Sequence, residues 1–169
     1  MIKIRKHLRK DIPYRVKWLN NPKVNKFIGD IGKKTNLRKQ KKWFENYQKD
    51  KNKIFFTICD NITPIGFMGL SNISKSDRNA DLFIAIGEDE YRGKGLGKIV
   101  LKWLLDFGLN KLNLHKIKIS VIKDNDIAIK LYKSLGFAIE GELQDEIFSK
   151  GKFRNLLDMA IFNRNQNKK

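Results

Sequence analysis

Between the apolar run Leu82-Phe83-Ile84-Ala85-Ile86 and an apolar-periodic stretch opening at Leu96, the chain reads Arg92-Gly93-Lys94-Gly95-Leu96-Gly97-Lys98. Three glycines within five residues let a backbone turn tightly and come close to a ligand. A helix beginning there aims unpaired amides and the positive end of its dipole at the turn. Strand, glycine turn and helix N-terminus together predict an anion cradle, most often for phosphate. A Walker loop is excluded, because Lys98 is followed by Ile99 and lacks the preceding glycine spacing. Gly93-x-Gly95-x-Gly97 also misses the third spacing of a dinucleotide fingerprint, and it sits mid-chain. A glycine-rich connection with no ligand is the plainer alternative.

The rest of the chain reads as alternating strands and helices. Ile2 to Leu8 reads as a first strand. Asp11 caps a helix with Pro13 in its first turn, ending near Leu19 before Asn20-Asn21-Pro22. Thr35 caps a second helix through Tyr47. Strands are expected over 54–59, 65–72 and 81–86, the last two joined by the turn Ser76-Asp77-Arg78-Asn79. The next helix places Leu96, Ile99, Val100, Trp103, Leu104 and Phe107 at helical spacing, as a core face. A strand over 117–122, a short helix over 126–135 ended by Gly136, and a hairpin across Ser149-Lys150-Gly151-Lys152 complete the chain. One domain is expected over residues 1–163, followed by a short basic polar tail at 164–169.

A second motif lies downstream. Arg92-x-x-Gly95-x-Gly97 is similar to the acetyl-CoA pyrophosphate loop of the GNAT acetyltransferases. Asn125-Asp126-Ile127-Ala128-Ile129-Lys130-Leu131-Tyr132, running on to Gly136-Phe137, resembles that family's second signature, N-x-x-A-x-x-L-Y-x-x-x-G-F. Two signatures in this order are far more specific than either alone. Glu140-Gly141-Glu142-Leu143 and Gly151-Lys152-Phe153-Arg154-Asn155 resemble the branch of ribosomal-protein N-terminal and spermidine acetyltransferases. The resemblance is weakest over residues 10–55. It implies an α/β (α+β) fold with a central mixed, mostly antiparallel sheet of about seven strands and about four helices, splayed between strands 4 and 5.

The same resemblance implies acetyl-CoA as donor, no metal, and direct transfer to a primary amine. Such a reaction must deprotonate the amine, stabilise a tetrahedral oxyanion and protonate the leaving thiolate. The implied cofactor contacts are the backbone of Arg92, Gly93, Lys94, Gly95, Leu96, Gly97 and Lys98, the main chain near Ile84, Ala85 and Ile86, and Asn125. Tyr132 matches the tyrosine that protonates the thiolate. A phenol with a pKa near 10 keeps its proton at neutral pH. Packing beside Leu131 and Leu135 is the plain alternative for Tyr132, and an N-cap for Asn125. Asp81, at the start of the strand that leads to the loop, is the candidate base, acting through water; Glu142 and Glu146 on the last hairpin are weaker candidates. His115 reads as structural, at a strand entry.

Composition sets limits on partners. Cys59 is the only cysteine, so no intrachain disulfide forms, and a cytoplasmic setting is expected. One Cys and two His make a Cys/His zinc site improbable. No apolar run is long enough to span a membrane, and nothing resembles a signal peptide. The formal charge of +18 suits an anionic partner. It also suits plain compositional bias, given abundant Lys, Asn and Ile, and its spread over many elements argues against a nucleic-acid groove except for indirect ribosome contact. Trp18, Phe27, Trp43, Phe44 and Phe148 could wall an acceptor pocket or belong to the core. A polyamine wants clustered carboxylates, yet residues 13–44 hold only Asp30, leaving Glu140, Glu142, Asp145 and Glu146 to supply them. A small-molecule amine such as an amino sugar or nucleotide-linked amino sugar is therefore the expected acceptor. A protein N-terminus, a polyamine, a non-catalytic acyl-CoA or RNA binding module, and a homodimer all stay open.

Overall fold

The computed structural model describes residues 1–28, 33–149 and 151–164. Asp30, Lys150 and all of the expected tail but Arg164 lie outside the described residues. Seven strands form one sheet in the order β1-β2-β3-β4-β5-β7-β6. They are β1 (Ile2–Lys6), β2 (Ile54–Asp60), β3 (Thr63–Ser74), β4 (Asn79–Ile86), β5 (Lys116–Ile122), β6 (Ala138–Ser149) and β7 (Lys152–Phe162). The helices are α1 (Ile12–Asn20), the one-turn α2 (Pro22–Asn25), α3 (Leu37–Lys49), α4 (Leu96–Asp106) and α5 (Asp126–Ser134).

Neighbouring strands are antiparallel except β4 and β5, which are parallel. That parallel ladder holds only Asn79–Asp81 against Lys116–Lys118. Beyond it, β4 keeps β3 as its neighbour through Ile86, while β5 pairs with β7 through Ile122. The sheet therefore splays between strands 4 and 5, as the resemblance implies.

Alternation along β4 divides the core. Ala80, Leu82, Ile84 and Ile86 face the cluster formed with α4 and α5, including Val100, Leu101, Leu104 and Ile129. Phe83 and Ala85 face the other side, with Phe67 and Trp18 of α1. Trp18 is wholly buried; a Cβ on Gly87 would stand 2.2 Å from its ring, so only glycine lets β4 end there. The indole donates to Glu88, which also pairs with Lys17, and this ties α1 to the end of β4.

Three local expectations need correction. Asp11 precedes α1 but makes no side-chain cap: its carboxylate accepts from Arg5, from the Leu8 N–H and from Thr57. Asn36, not Thr35, caps α3, accepting from the Lys39 N–H, while the Thr35 hydroxyl accepts from Gln40. The buried face of α4 runs through Leu96, Val100, Leu101, Leu104 and Leu105, whereas Ile99 and Trp103 are exposed. Trp103 covers Phe56 edge-on and stacks on Phe107, which lies in a π-helical turn beyond α4.

Candidate active site

Backbone pairing determines which β4 groups are open. Gly87 donates to the Ile65 carbonyl, and β3 and β4 run in register from there to Ser71 and Asp81. In an antiparallel ladder, alternate residues direct their N–H and C=O toward the same neighbour. Phe83 and Ala85 thus bond β3, Leu82 faces β5 at the end of the parallel ladder, and Ile84 and Ile86 turn theirs into the splay. Ala85 is corrected on this ground: its main chain is taken by β3.

The glycine turn closes the same end of β4. Gly93 and Gly95 have φ of +75° and +77°, and nothing lies within 4 Å of a Cβ built on either. Gly95 is the N-cap of α4, and its carbonyl takes the N–H groups of Lys98 and Ile99. Among the described residues, the N–H groups of Gly93 to Gly97 have no backbone acceptor. Left-handed glycines, free amides and a helix N-terminus fit a diphosphate. Lys94 and Lys98 are exposed beside them. Arg92 instead pairs with Asp89, which also binds Lys23 and Asn21.

Helix α5 packs against this turn. A Cβ on Gly97 would meet Leu131 at 3.3 Å, so the Tyr132 helix approaches the first turn of α4. Tyr132 is buried beside Phe137, and burial raises its pKa. Its hydroxyl has no protein hydrogen-bond partner among the described residues. Asn125 caps α5, accepting from the Ala128 N–H at 3.3 Å. Asp81 sits where the β4–β5 ladder ends, with its oxygens held by Asn72 at 2.6 Å and Lys118 at 3.3 Å.

On the opposite face of β4 lies a cavity of about 490 Å³, walled by Trp43, Phe55, Phe67 and Phe83 and reaching Ile84, whose main chain opens into the splay. Its charged lining residues are Arg15, Lys33, Lys34 and Lys39, with no carboxylate among the described residues. Of the expected aromatic walls only Trp43 lines it. Trp18 and Phe44 are core, and Phe148 is exposed beside Phe153. Glu140 and Glu142 pair with Lys116 and Lys123, away from the cavity. Cys59 is buried, which raises its thiol pKa. His115 enters β5 by donating its backbone N–H to Arg78. Arg15 went unnoticed in the sequence. The available signal was an arginine at helical spacing among the buried positions Ile12, Arg15 and Trp18.

No group of three or more metal-ligating side chains gathers among the described residues. No helix there is long and apolar enough to cross a membrane.

An open strand edge beside an amide cradle, with a cavity meeting it from the other face, defines a CoA-dependent acyltransferase. Comparison with known proteins agrees. The family profile described as "Acetyltransferase (GNAT) domain" matches residues 2–138. The spermidine N(1)-acetyltransferase of Escherichia coli K12 is 32% identical over 161 residues, covering 95% of this chain and 86% of that protein. The crystal structure of a Vibrio cholerae spermidine N-acetyltransferase in complex with CoA and spermine superposes with a TM-score of 0.88 at 26% identity, covering 95% of each chain. A dodecameric structure of the Vibrio cholerae enzyme gives 0.85 at 25% identity, covering 99% of this chain and 96% of that one. The chain belongs to the GNAT acetyltransferase family. It is an N-acetyltransferase that uses acetyl-CoA as donor and acetylates an amine.

Proposed function

We propose that the protein moves an acetyl group directly from acetyl-CoA to the primary amine of a small molecule seated in the cavity above β4. The observation that carries this reading is the meeting of that cavity with the open main chain at Ile84. The free amides of Gly93 to Gly97 hold the diphosphate, and the main chain of Ile84 and Ile86 pairs with the pantetheine amides as an added strand would. An N–H from this edge steadies the charge that develops on the thioester carbonyl oxygen. Tyr132, kept protonated by burial, gives its proton to the departing thiolate. Asn125 keeps its amide nitrogen for the cofactor arm while its oxygen caps α5. Asp81 takes the amine proton through a water chain.

For the acceptor, the cationic lining supports an amino sugar or nucleotide-linked amino sugar. The second reading is a polyamine, favoured by the names of the relatives. Thiol release from acetyl-CoA, measured against amino sugars, nucleotide-linked amino sugars, polyamines and peptides with free N-termini, separates them. A small-molecule hit is expected, and activity confined to peptide N-termini would overturn the reading. Assembly of several copies is proposed from the dodecameric relative. Sedimentation is expected to show more than the 19.8 kDa of one chain, and a monomer would refute it.

A further inference from the structure

Arg15 is a buried cation on α1. It is 8% exposed, and among the described residues no carboxylate pairs with it. Its guanidinium lies 3.8 Å from the centroid of the Trp43 ring and 4.6 Å from that of Phe67. Nε donates to Gln40 Oε1 at 2.8 Å, and Gln40 is itself buried and oriented by Thr35. Nη1 is buried and has no hydrogen-bond partner among the described residues. Burial lowers the pKa to about 9, which still leaves the group charged at neutral pH.

A desolvated charge is costly unless something pairs with it. Two aromatic faces offset part of that cost, but they give the terminal N–H groups no acceptor. The side chain lines the cavity proposed to hold the acceptor, where the other described charges are lysines. A guanidinium offers a planar, forked set of donors that matches an oxyanion. Gln40 and the two rings hold that fork in place before any ligand arrives, which is how a preorganised binding group is built.

We infer that Arg15 is the anion anchor of the acceptor pocket, and that the amine this protein acetylates carries a carboxylate or a phosphate that pairs with the guanidinium. The inference rests on the proposed placement of the acceptor above β4. It assigns a specificity-determining residue, and it separates this chain from an enzyme built for a polycation. An acceptor with two or more cationic centres would meet Arg15 with no carboxylate among the described lining residues to balance it.

The test compares matched amines: an amino sugar with its phosphate monoester and its nucleotide-linked form, an ω-amino acid with its amide, and spermidine. Wild-type protein should show at least a tenfold higher kcat/KM for the anionic member of a pair, and whichever pair shows it identifies carboxylate or phosphate. Arg15→Met should raise KM for that anionic acceptor by about 10- to 100-fold. Its KM for the neutral member and its affinity for acetyl-CoA should stay within about threefold. Arg15→Lys keeps the charge without the fork and should fall between the two, which also serves if the methionine variant does not fold.

A readout independent of turnover is thermal stabilisation by inorganic phosphate with CoA saturating, so that the glycine turn is already filled. The wild type should be stabilised more than either variant. Equal stabilisation of wild type and variants overturns the anchor. Spermidine as best acceptor, with KM insensitive to Arg15, overturns the acceptor class while leaving the acetyltransferase reading intact. An absence of both acetyl-CoA binding and thiol release would instead refute the reading of the site.

Discussion

Lowering the pH from 7 to 5 should destabilise this protein through one residue, His7. Its side chain is wholly cut off from solvent. Nδ1 lies 2.8 Å from Thr57 Oγ1, and that hydroxyl donates to Asp11 at 2.8 Å. With its one proton directed to Asp11, Thr57 accepts from Nδ1–H, which leaves Nε2 as a bare lone pair. Nε2 has no hydrogen-bond partner among the described residues, and the imidazole sits against Trp43 and Phe44 at 5.9 Å between ring centres. A second ring proton would be buried without an acceptor. Burial lowers the pKa from 6.5 to about 4, opposed by Asp11 and helped by Arg15 and Arg5. The unfolded chain therefore takes up a proton near 6.5 while the folded one refuses it until about 4, so stability falls as pH drops through that window. The full shift corresponds to about 3 kcal/mol, of which about 2 kcal/mol is lost by pH 5.

Asp11 does not enter this window. Burial pushes its carboxyl up, but Arg5, the Leu8 N–H and Thr57 outweigh that and hold it below its ordinary 3.8, so its contribution is lost only at lower pH. At about 2–4 °C per kcal/mol for a chain of this size, the Tm should drop by about 4–8 °C between pH 7 and 5. The assay is thermal or urea unfolding across that range for the wild type and His7→Gln, whose amide still donates to Thr57 but does not titrate. The variant's curve should be flatter by about 2 kcal/mol. Parallel curves for the two proteins would refute the argument.

Tyr132→Phe should reduce kcat by about 100-fold with acetyl-CoA affinity and Tm little changed, because the hydroxyl has no protein partner among the described residues; unchanged kcat, with chemistry limiting, removes the acid role. Gly95→Ala, at φ +77° in open space, should cost about 1–2 kcal/mol of stability and weaken acetyl-CoA binding. Gly97→Ala, inside α4 with only Leu131 at 3.3 Å, should leave the Tm within about 2 °C; equal losses in unfolding scans would contradict the left-handed assignment of Gly95. Asp81→Asn should lower kcat by about 10- to 100-fold; an unchanged kcat, with chemistry limiting, assigns the base elsewhere.

Each correction within the fold involves a choice that neighbouring residues leave open. Asn36 and Thr35 are both competent caps; Gln40, one turn into α3, takes the Thr35 hydroxyl and Asn36 is left to cap. Asp11 stands at a proper N-cap position, but a guanidinium across β1 is a stronger partner than one amide of its own helix. In α4 the apolar residues run nearly all round, so periodicity alone could not tell Ile99 and Trp103 from Leu101 and Leu105. The side of the helix that meets the sheet made that choice.

The amino-acid sequence by itself determined what is local. It specified the glycine turn between β4 and α4, the capped helix carrying Tyr132, and through those two motifs the family and its donor. Their residues lie close together in the chain, and backbone sterics, caps and helical spacing act over that range. Only the tertiary structure decided which β4 amides stay open, because that depends on β3 taking Ala85 and β5 turning away to β7. It also decided that Arg15, a residue unremarkable on its helix, stands among Gln40, Trp43 and Phe67 with no carboxylate partner among the described residues, since all three come from elements distant in sequence and only packing brings them to it.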